Sequence, residues 1–231
     1  MIEVRPFSGI GHAQHGWLDA HHHFSFGAYR DLDRMGWGAI RVWNDDTIAP
    51  GTGFDPHPHN DMEIVTYVRA GAITHRDSLG NEGRTEAGDV QVMSAGTGIV
   101  HSEYNRENVA TTLFQIWIRP DKAGDPPSWG QRQFPRGERA GHWEVVASGN
   151  PADNALPIRA DARVLAATLK AGDVAQYLTD VSRHLYLVVA SGKIQVNGQG
   201  VEARDGVAIT GESAIIAEVI DDAELVMVDC R

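Results

Sequence analysis

Short apolar runs punctuated by glycine dominate the chain. The run Ile64-Val65-Thr66-Tyr67-Val68 is β-branched and aromatic, stops at Arg69-Ala70-Gly71, and resumes as Ala72-Ile73-Thr74-His75. Comparable runs cover residues 90–93 and 113–118, each fenced by Gly, Pro, Asn or Asp. Residues 119–127 break the rhythm, because Pro120, Pro126 and Pro127 suit neither a central strand nor a helix. The strand pattern then returns at residues 163–169, 185–189 and 193–198. Many short strands at even spacing predict an all-β barrel or sandwich.

A loose internal echo divides this pattern in two. Tyr67-Val68-Arg69-Ala70-Gly71-Ala72-Ile73 resembles Val188-Val189-Ala190-Ser191-Gly192-Lys193-Ile194, and Glu86-Ala87-Gly88-Asp89-Val90 resembles Ala203-Arg204-Asp205-Gly206-Val207. A repeated strand-turn-strand unit predicts two similar β domains, at residues 1–125 and 140–231, joined by the proline-rich stretch.

Composition narrows the function classes. Glycine is 25 of 231 residues, in keeping with many turns, while 42% apolar and 22% charged residues are ordinary for a folded soluble protein. The formal charge of −11 argues against direct nucleic-acid binding. Cys230 is the sole cysteine, so neither an intrachain disulfide nor a cysteine-based zinc site can form. The opening Met1-Ile2-Glu3-Val4-Arg5-Pro6 lacks the features of a secretory signal, and no run approaches the ~20 apolar residues of a membrane span. A cytoplasmic, membrane-free protein is expected.

The chemically loaded segment is Gly51-Thr52-Gly53-Phe54-Asp55-Pro56-His57-Pro58-His59-Asn60-Asp61-Met62-Glu63. In extended chain alternate side chains share a face, so His57 and His59 point together, with Asp61 and Glu63 continuing the row if the strand runs on. Pro56 and Pro58 favour an edge strand. A second pair, His101 and Glu103, follows Gly96 and Gly98, whose flexibility permits a turn that aims the pair inward. Brought together in one barrel, three imidazoles and a carboxylate make a mixed nitrogen and oxygen site for one divalent transition metal ion. Iron heads the candidates, and manganese, nickel, cobalt, copper and zinc are also compatible. His12, His15, His21, His22 and His23 crowd the N-terminal segment without a defined ligand spacing, and His184 has no His-X-His partner, so the second domain is expected to lack a metal site.

These motifs resemble those of the cupins: glycine, five residues, His-X-His, three residues and Glu, then a second motif with a later His and an Asn. Gly51, His57, His59, Glu63, Gly71, Gly88, His101 and Asn105 occupy those places. The interval from Glu63 to Gly71 is one residue longer than the general pattern and that from Gly96 to His101 two longer. Both departures resemble the pirin branch, as do Met93-Ser94-Ala95-Gly96-Thr97-Gly98-Ile99-Val100-His101-Ser102-Glu103 and the opening Gly11-His12-Ala13-Gln14-His15-Gly16-Trp17-Leu18-Asp19. The resemblance implies a bicupin of two antiparallel β-barrels. It also implies that the carboxylate ligand is Glu103, leaving Glu63 as a core-facing polar group or one that orients a ligand imidazole.

It further implies a function. Some pirin-like proteins open quercetin-type flavonols with dioxygen. An aromatic enol substrate and dioxygen are therefore the expected partners, Glu103 the expected proton acceptor, and a monomer the expected state. The alternative is a non-catalytic, metal- or redox-sensing pirin that acts on a protein partner.

Overall fold

The computed structural model describes residues 1–231, with twenty β-strands, three short 3-10 turns and no α-helix. The first twelve strands are β1 (Ile2–Arg5), β2 (Gly11–Gln14), β3 (Leu18–His22), β4 (Ile40–Ile48), β5 (Gly53–His59), β6 (Glu63–Ala70), β7 (Ala72–Asp77), β8 (Glu82–Glu86), β9 (Val90–Ser94), β10 (Ile99–Tyr104), β11 (Thr111–Ile118) and β12 (Ser128–Arg132). The rest are β13 (Glu144–Ser148), β14 (Leu156–Pro157), β15 (Ala162–Leu169), β16 (Val174–Leu178), β17 (His184–Val196), β18 (Gln199–Glu202), β19 (Gly206–Thr210) and β20 (Ala214–Cys230).

The first half forms a seven-stranded sheet, β12-β9-β6-β11-β4-β3-β2, facing a four-stranded sheet, β5-β10-β7-β8. The second half supplies eight strands, β13 to β20, of a nine-stranded sheet whose ninth strand is β1. The chain is thus all-β, with two cupin barrels. No helix is long and apolar enough to cross a membrane.

Two strands cross the division expected at residues 1–125 and 140–231. β1 pairs with β19 of the second half, where Ile2 and Val4 pack on its core. β12, just beyond the proline-rich stretch, returns to the first half and pairs with β9. Residues 193–198 were expected as a strand separate from 185–189. Instead β17 runs unbroken across both, with register shifts between Val189 and Ile194 and Gly192 at φ 90°. Gly192 is therefore a bulge that bends one long strand, whereas its counterpart Gly71 (φ 74°) lies between β6 and β7, which belong to different sheets.

Burial explains the continuous apolar runs. In β6 every residue from Glu63 to Val68 is buried. Val65 and Tyr67 face the other half of the chain, where they join Trp43, Phe114, Tyr186, Val188 and Val226 in a core of 26 buried residues drawn from both halves. A strand covered on both faces loses the polar alternation of a half-exposed one. The interior of the second barrel is a separate apolar core that includes Leu165, Leu187, Ile194, Ile209 and Leu225.

Candidate metal centre

β5 and β10 are neighbours, and their register sets His57 directly opposite His101 and His59 opposite Ile99. A register shift between His101 and Glu103 then carries Glu103 past its strict pairing position. β5 is an edge strand, which accommodates the missing donors of Pro56 and Pro58. Gly96, at φ 48°, shapes the approach to β10: a Cβ there would lie 2.0 Å from the Asp125 carbonyl oxygen, so only glycine fits.

The ligand atoms of His57, His59 and His101 lie within 4.8 Å of one another. The Nε2 atoms of His57 and His101 are 3.1 Å apart. Hydrogen bonding fixes what each nitrogen carries. His57 Nδ1 lies 2.7 Å from the Asp55 carbonyl oxygen, an acceptor only, so the proton is on Nδ1 and the Nε2 lone pair is free. Asp77 Oδ2 accepts from His75 Nε2 at 3.0 Å, which leaves His75 Nδ1 as an acceptor. His101 Nδ1, 3.4 Å from it, must then donate, and His101 Nε2 also keeps its lone pair. Two imidazole lone pairs converge at close range, an arrangement that a cation stabilises.

Electrostatics agree. Desolvation, reinforced by His101 and His57, lowers the pKa of His59 to about 4, while Glu103 acts in the opposite sense. Desolvation followed by His57 and His75 lowers that of His101 to about 3. Both imidazoles are neutral at pH 7, as ligands must be. Burial works against the charge on Asp77, yet hydrogen bonds from Asn81, His75 and the Leu79 backbone hold its carboxyl below the usual range.

Glu103 is buried beside this cluster, grouped with His101 and His75. Three donors grip it: Gln91 Nε2 at 2.7 Å and Thr66 Oγ1 at 3.3 Å on Oε1, and Gln115 Nε2 at 2.6 Å on Oε2. Trp117 packs edge-on against His59 with ring centroids 4.9 Å apart, and Phe54 lies beside His57 at 6.2 Å. The arrangement suits a single ion with an aromatic rim.

The other expected residues fall elsewhere. β5 ends at His59, and Asp61 takes φ 43° in the turn that follows, so the ligand row stops there. Glu63 lies on the β6 face opposite Thr66, where it accepts from Ser94 Oγ at 2.6 Å, and burial raises its pKa. It is a plain buried polar partner and touches no ligand imidazole. Asn105 ties the chain after β10 to the Ile48 and Val109 carbonyls. His184 packs edge-on against Trp37. Among the N-terminal histidines, His22 and His23 are buried, while His12, Asp19 and His21 come together at the surface with Arg204 Nη2 3.4 Å from His21 Nδ1.

Sequence reasoning missed His75, Asp77, Thr66, Gln91 and Gln115. The last three were detectable, since each is a lone polar residue inside an apolar strand: Val65-Thr66-Tyr67, Val90-Gln91-Val92 and Phe114-Gln115-Ile116.

The chain as a whole is similar to known proteins. The pirin family model matches residues 3–118, and that of the quercetinase C-terminal cupin domain matches residues 145–230. A pirin-like protein of Caulobacter vibrioides is 59% identical over 230 residues, covering 99% of each chain. Quercetin 2,3-dioxygenase of Escherichia coli is 40% identical over 230 residues, covering 99% of this chain and 98% of that one. The crystal structure of the bacterial pirin YhhW of Escherichia coli in complex with nickel(II) superposes with a TM-score of 0.94 at 40% identity, covering 100% of this chain and 99% of that one.

Proposed function

This chain belongs to the pirin family, and on that footing we propose that it is a metal-dependent dioxygenase acting on a quercetin-type flavonol or a similar aromatic enol. The observation that carries the reading is the convergence of the His57 and His101 lone pairs at 3.1 Å, with His59 in the same cluster and Glu103 grouped with His101 and His75 on its inner side. His57, His59, His101 and Glu103 would hold one divalent transition ion. When bound, such an ion lowers the pKa of an enol oxygen and lets the electron-rich anion meet dioxygen.

The chain's own groups supply the rest. Glu103 accepts the enol proton at one carboxylate oxygen. Gln91, Thr66 and Gln115 hold that carboxylate in place, so little reorganisation accompanies the transfer. Trp117 and Phe54 flank the imidazoles and limit water at the reacting end of the substrate.

The test is incubation of metal-loaded protein with quercetin, following flavonol absorbance and dioxygen uptake together. Matched loss of both, absent under anaerobic conditions, supports the reading. No turnover with iron, manganese, nickel, cobalt or copper contradicts it.

A further inference from the structure

A cavity of about 410 Å³ opens beside the metal centre, between β2, β3, the Phe26–Tyr29 turn and β4. Phe54 and Gln115 form its border with the centre, since Phe54 neighbours His57 and Gln115 binds Glu103. Its volume suits a small organic molecule.

Strand register shows what the cavity presents. Directly paired residues share a sheet face, and the pairs His22 with Asn44, Asn44 with Gln115, Gln115 with Thr66 and Thr66 with Gln91 form one unbroken polar row across five strands. Glu103 covers the row at Gln115, Thr66 and Gln91. His22 and Asn44, its far end, line the cavity. The next row along the same face runs Ala20, Asp46, Leu113 and Val68. Asp46 is thus a lone carboxyl in an apolar row.

Asp46 is only 2% exposed, lines the cavity, and has a buried Oδ1 without a hydrogen-bond partner. An unsatisfied buried oxygen destabilises the fold, so folding gives no reason for it. Burial, and then the neighbouring Asp45 and Glu103, push its carboxyl well above the usual range, while Arg69 acts the other way. Whatever its protonation, a carboxyl oxygen so placed can accept from a ligand hydroxyl. The rings of His22, Phe26 and Tyr29 complete a wall suited to a flat ligand, with His22 at 5.3 Å from Phe26 and stacked on Tyr29 at 6.5 Å.

We propose that this cavity receives the part of a planar polyhydroxylated aromatic ligand remote from the metal, and that Asp46, with Asn44 beside it, hydrogen-bonds a phenolic hydroxyl there. The inference rests on the dioxygenase reading only for the end of the ligand that faces the ion. Asp46 is a specificity-determining residue that meets the ligand away from the reacting carbon atoms.

The test is anaerobic titration of nickel-loaded full-length protein with quercetin and with unhydroxylated flavone, read by fluorescence quenching, with nickel content measured in parallel. Asp46→Leu should bind quercetin at least tenfold more weakly, bind flavone unchanged, keep its nickel, and unfold at the same temperature or higher. Should Asp46→Leu fail to fold, Asp46→Ala and Asn44→Ala provide the same comparison, with quercetin affinity falling and flavone affinity held. Unchanged quercetin affinity in the folded variants, or no flavonol binding by the native protein, overturns the inference. Asp46-dependent binding without aerobic turnover would sink the dioxygenase reading alone. Turnover with Asp46-independent binding would sink this inference alone.

Discussion

His101 donates through Nδ1 to His75 Nδ1, 3.4 Å away, and His75 in turn donates to Asp77. This chain locks the tautomer that leaves His101 Nε2 free to bind an ion. His75 is also stacked flat on Trp129, with centroids 4.7 Å apart and planes 8° from parallel, so its ring cannot turn away.

Removing that support should loosen the metal without removing a ligand. His75→Ala and Asp77→Asn are each expected to weaken metal affinity roughly 10- to 100-fold, as is usual for partners that orient a ligand. Competition with a chromophoric chelator measures this. Native affinity in both variants would show that His101 needs no such orientation.

The proposed ligands should separate by role. His59→Ala removes a neutral nitrogen donor and is expected to strip the metal and abolish turnover. Glu103→Gln should retain more metal than His59→Ala, because the three imidazoles remain, but turn over at least 100-fold more slowly if Glu103 takes the enol proton. Elemental analysis beside flavonol loss distinguishes the two. Unchanged turnover in Glu103→Gln removes Glu103 from proton transfer.

How much of this was legible in the sequence depends on whether a property is local. Alternation placed His57 with His59 and His101 with Glu103, because period two follows from extended backbone alone. Edge placement of β5 was readable from Pro56 and Pro58, which cannot serve a central strand. The polar row from His22 to Gln91 was not readable, because it depends on the register of five strands far apart in sequence. Residue 192 misled for a related reason: a glycine with positive φ ends a strand at Gly71 but bends one at Gly192, and tertiary pairing with β20 decides which. His75 looked like the last residue of an apolar strand, and only folding against His101 gives it a task.

The two halves are tied by a buried polar junction as well as by shared core. Tyr67 donates to Glu224 and accepts from Arg139, while Arg139 and Arg136 reach Glu224 Oε1 at 2.8 and 2.9 Å. Arg139 is 1% exposed. Glu224→Ala leaves that guanidinium buried without its counter-charge and should cost about 3–5 kcal/mol. Urea unfolding tests this, and a loss below ~1 kcal/mol would show that the junction relaxes or is hydrated.

Acid should weaken the fold through His23. This imidazole is fully buried against Tyr186, with Nδ1 2.9 Å from the hydroxyl. Desolvation, followed by the charge of Arg5, lowers its pKa to about 3. The unfolded chain titrates near the ordinary 6.5 and binds the proton that the native state refuses. Stability is therefore fully present above about pH 6.5 and falls as pH drops toward 3, by up to ~1.4 kcal/mol per pH unit from this residue. His59 and His101 add to the same slope when no metal is bound. Urea midpoints between pH 7 and 4 should fall less steeply in His23→Leu than in the native chain, and equal slopes would contradict the assignment.

The most direct measurement is anomalous diffraction from crystals of iron-loaded protein. A single strong peak roughly 2.0–2.2 Å from nitrogens of His57, His59 and His101 and an oxygen of Glu103 is the expected result. A peak at His12, Asp19 and His21 instead, or none between β5 and β10, would contradict the account.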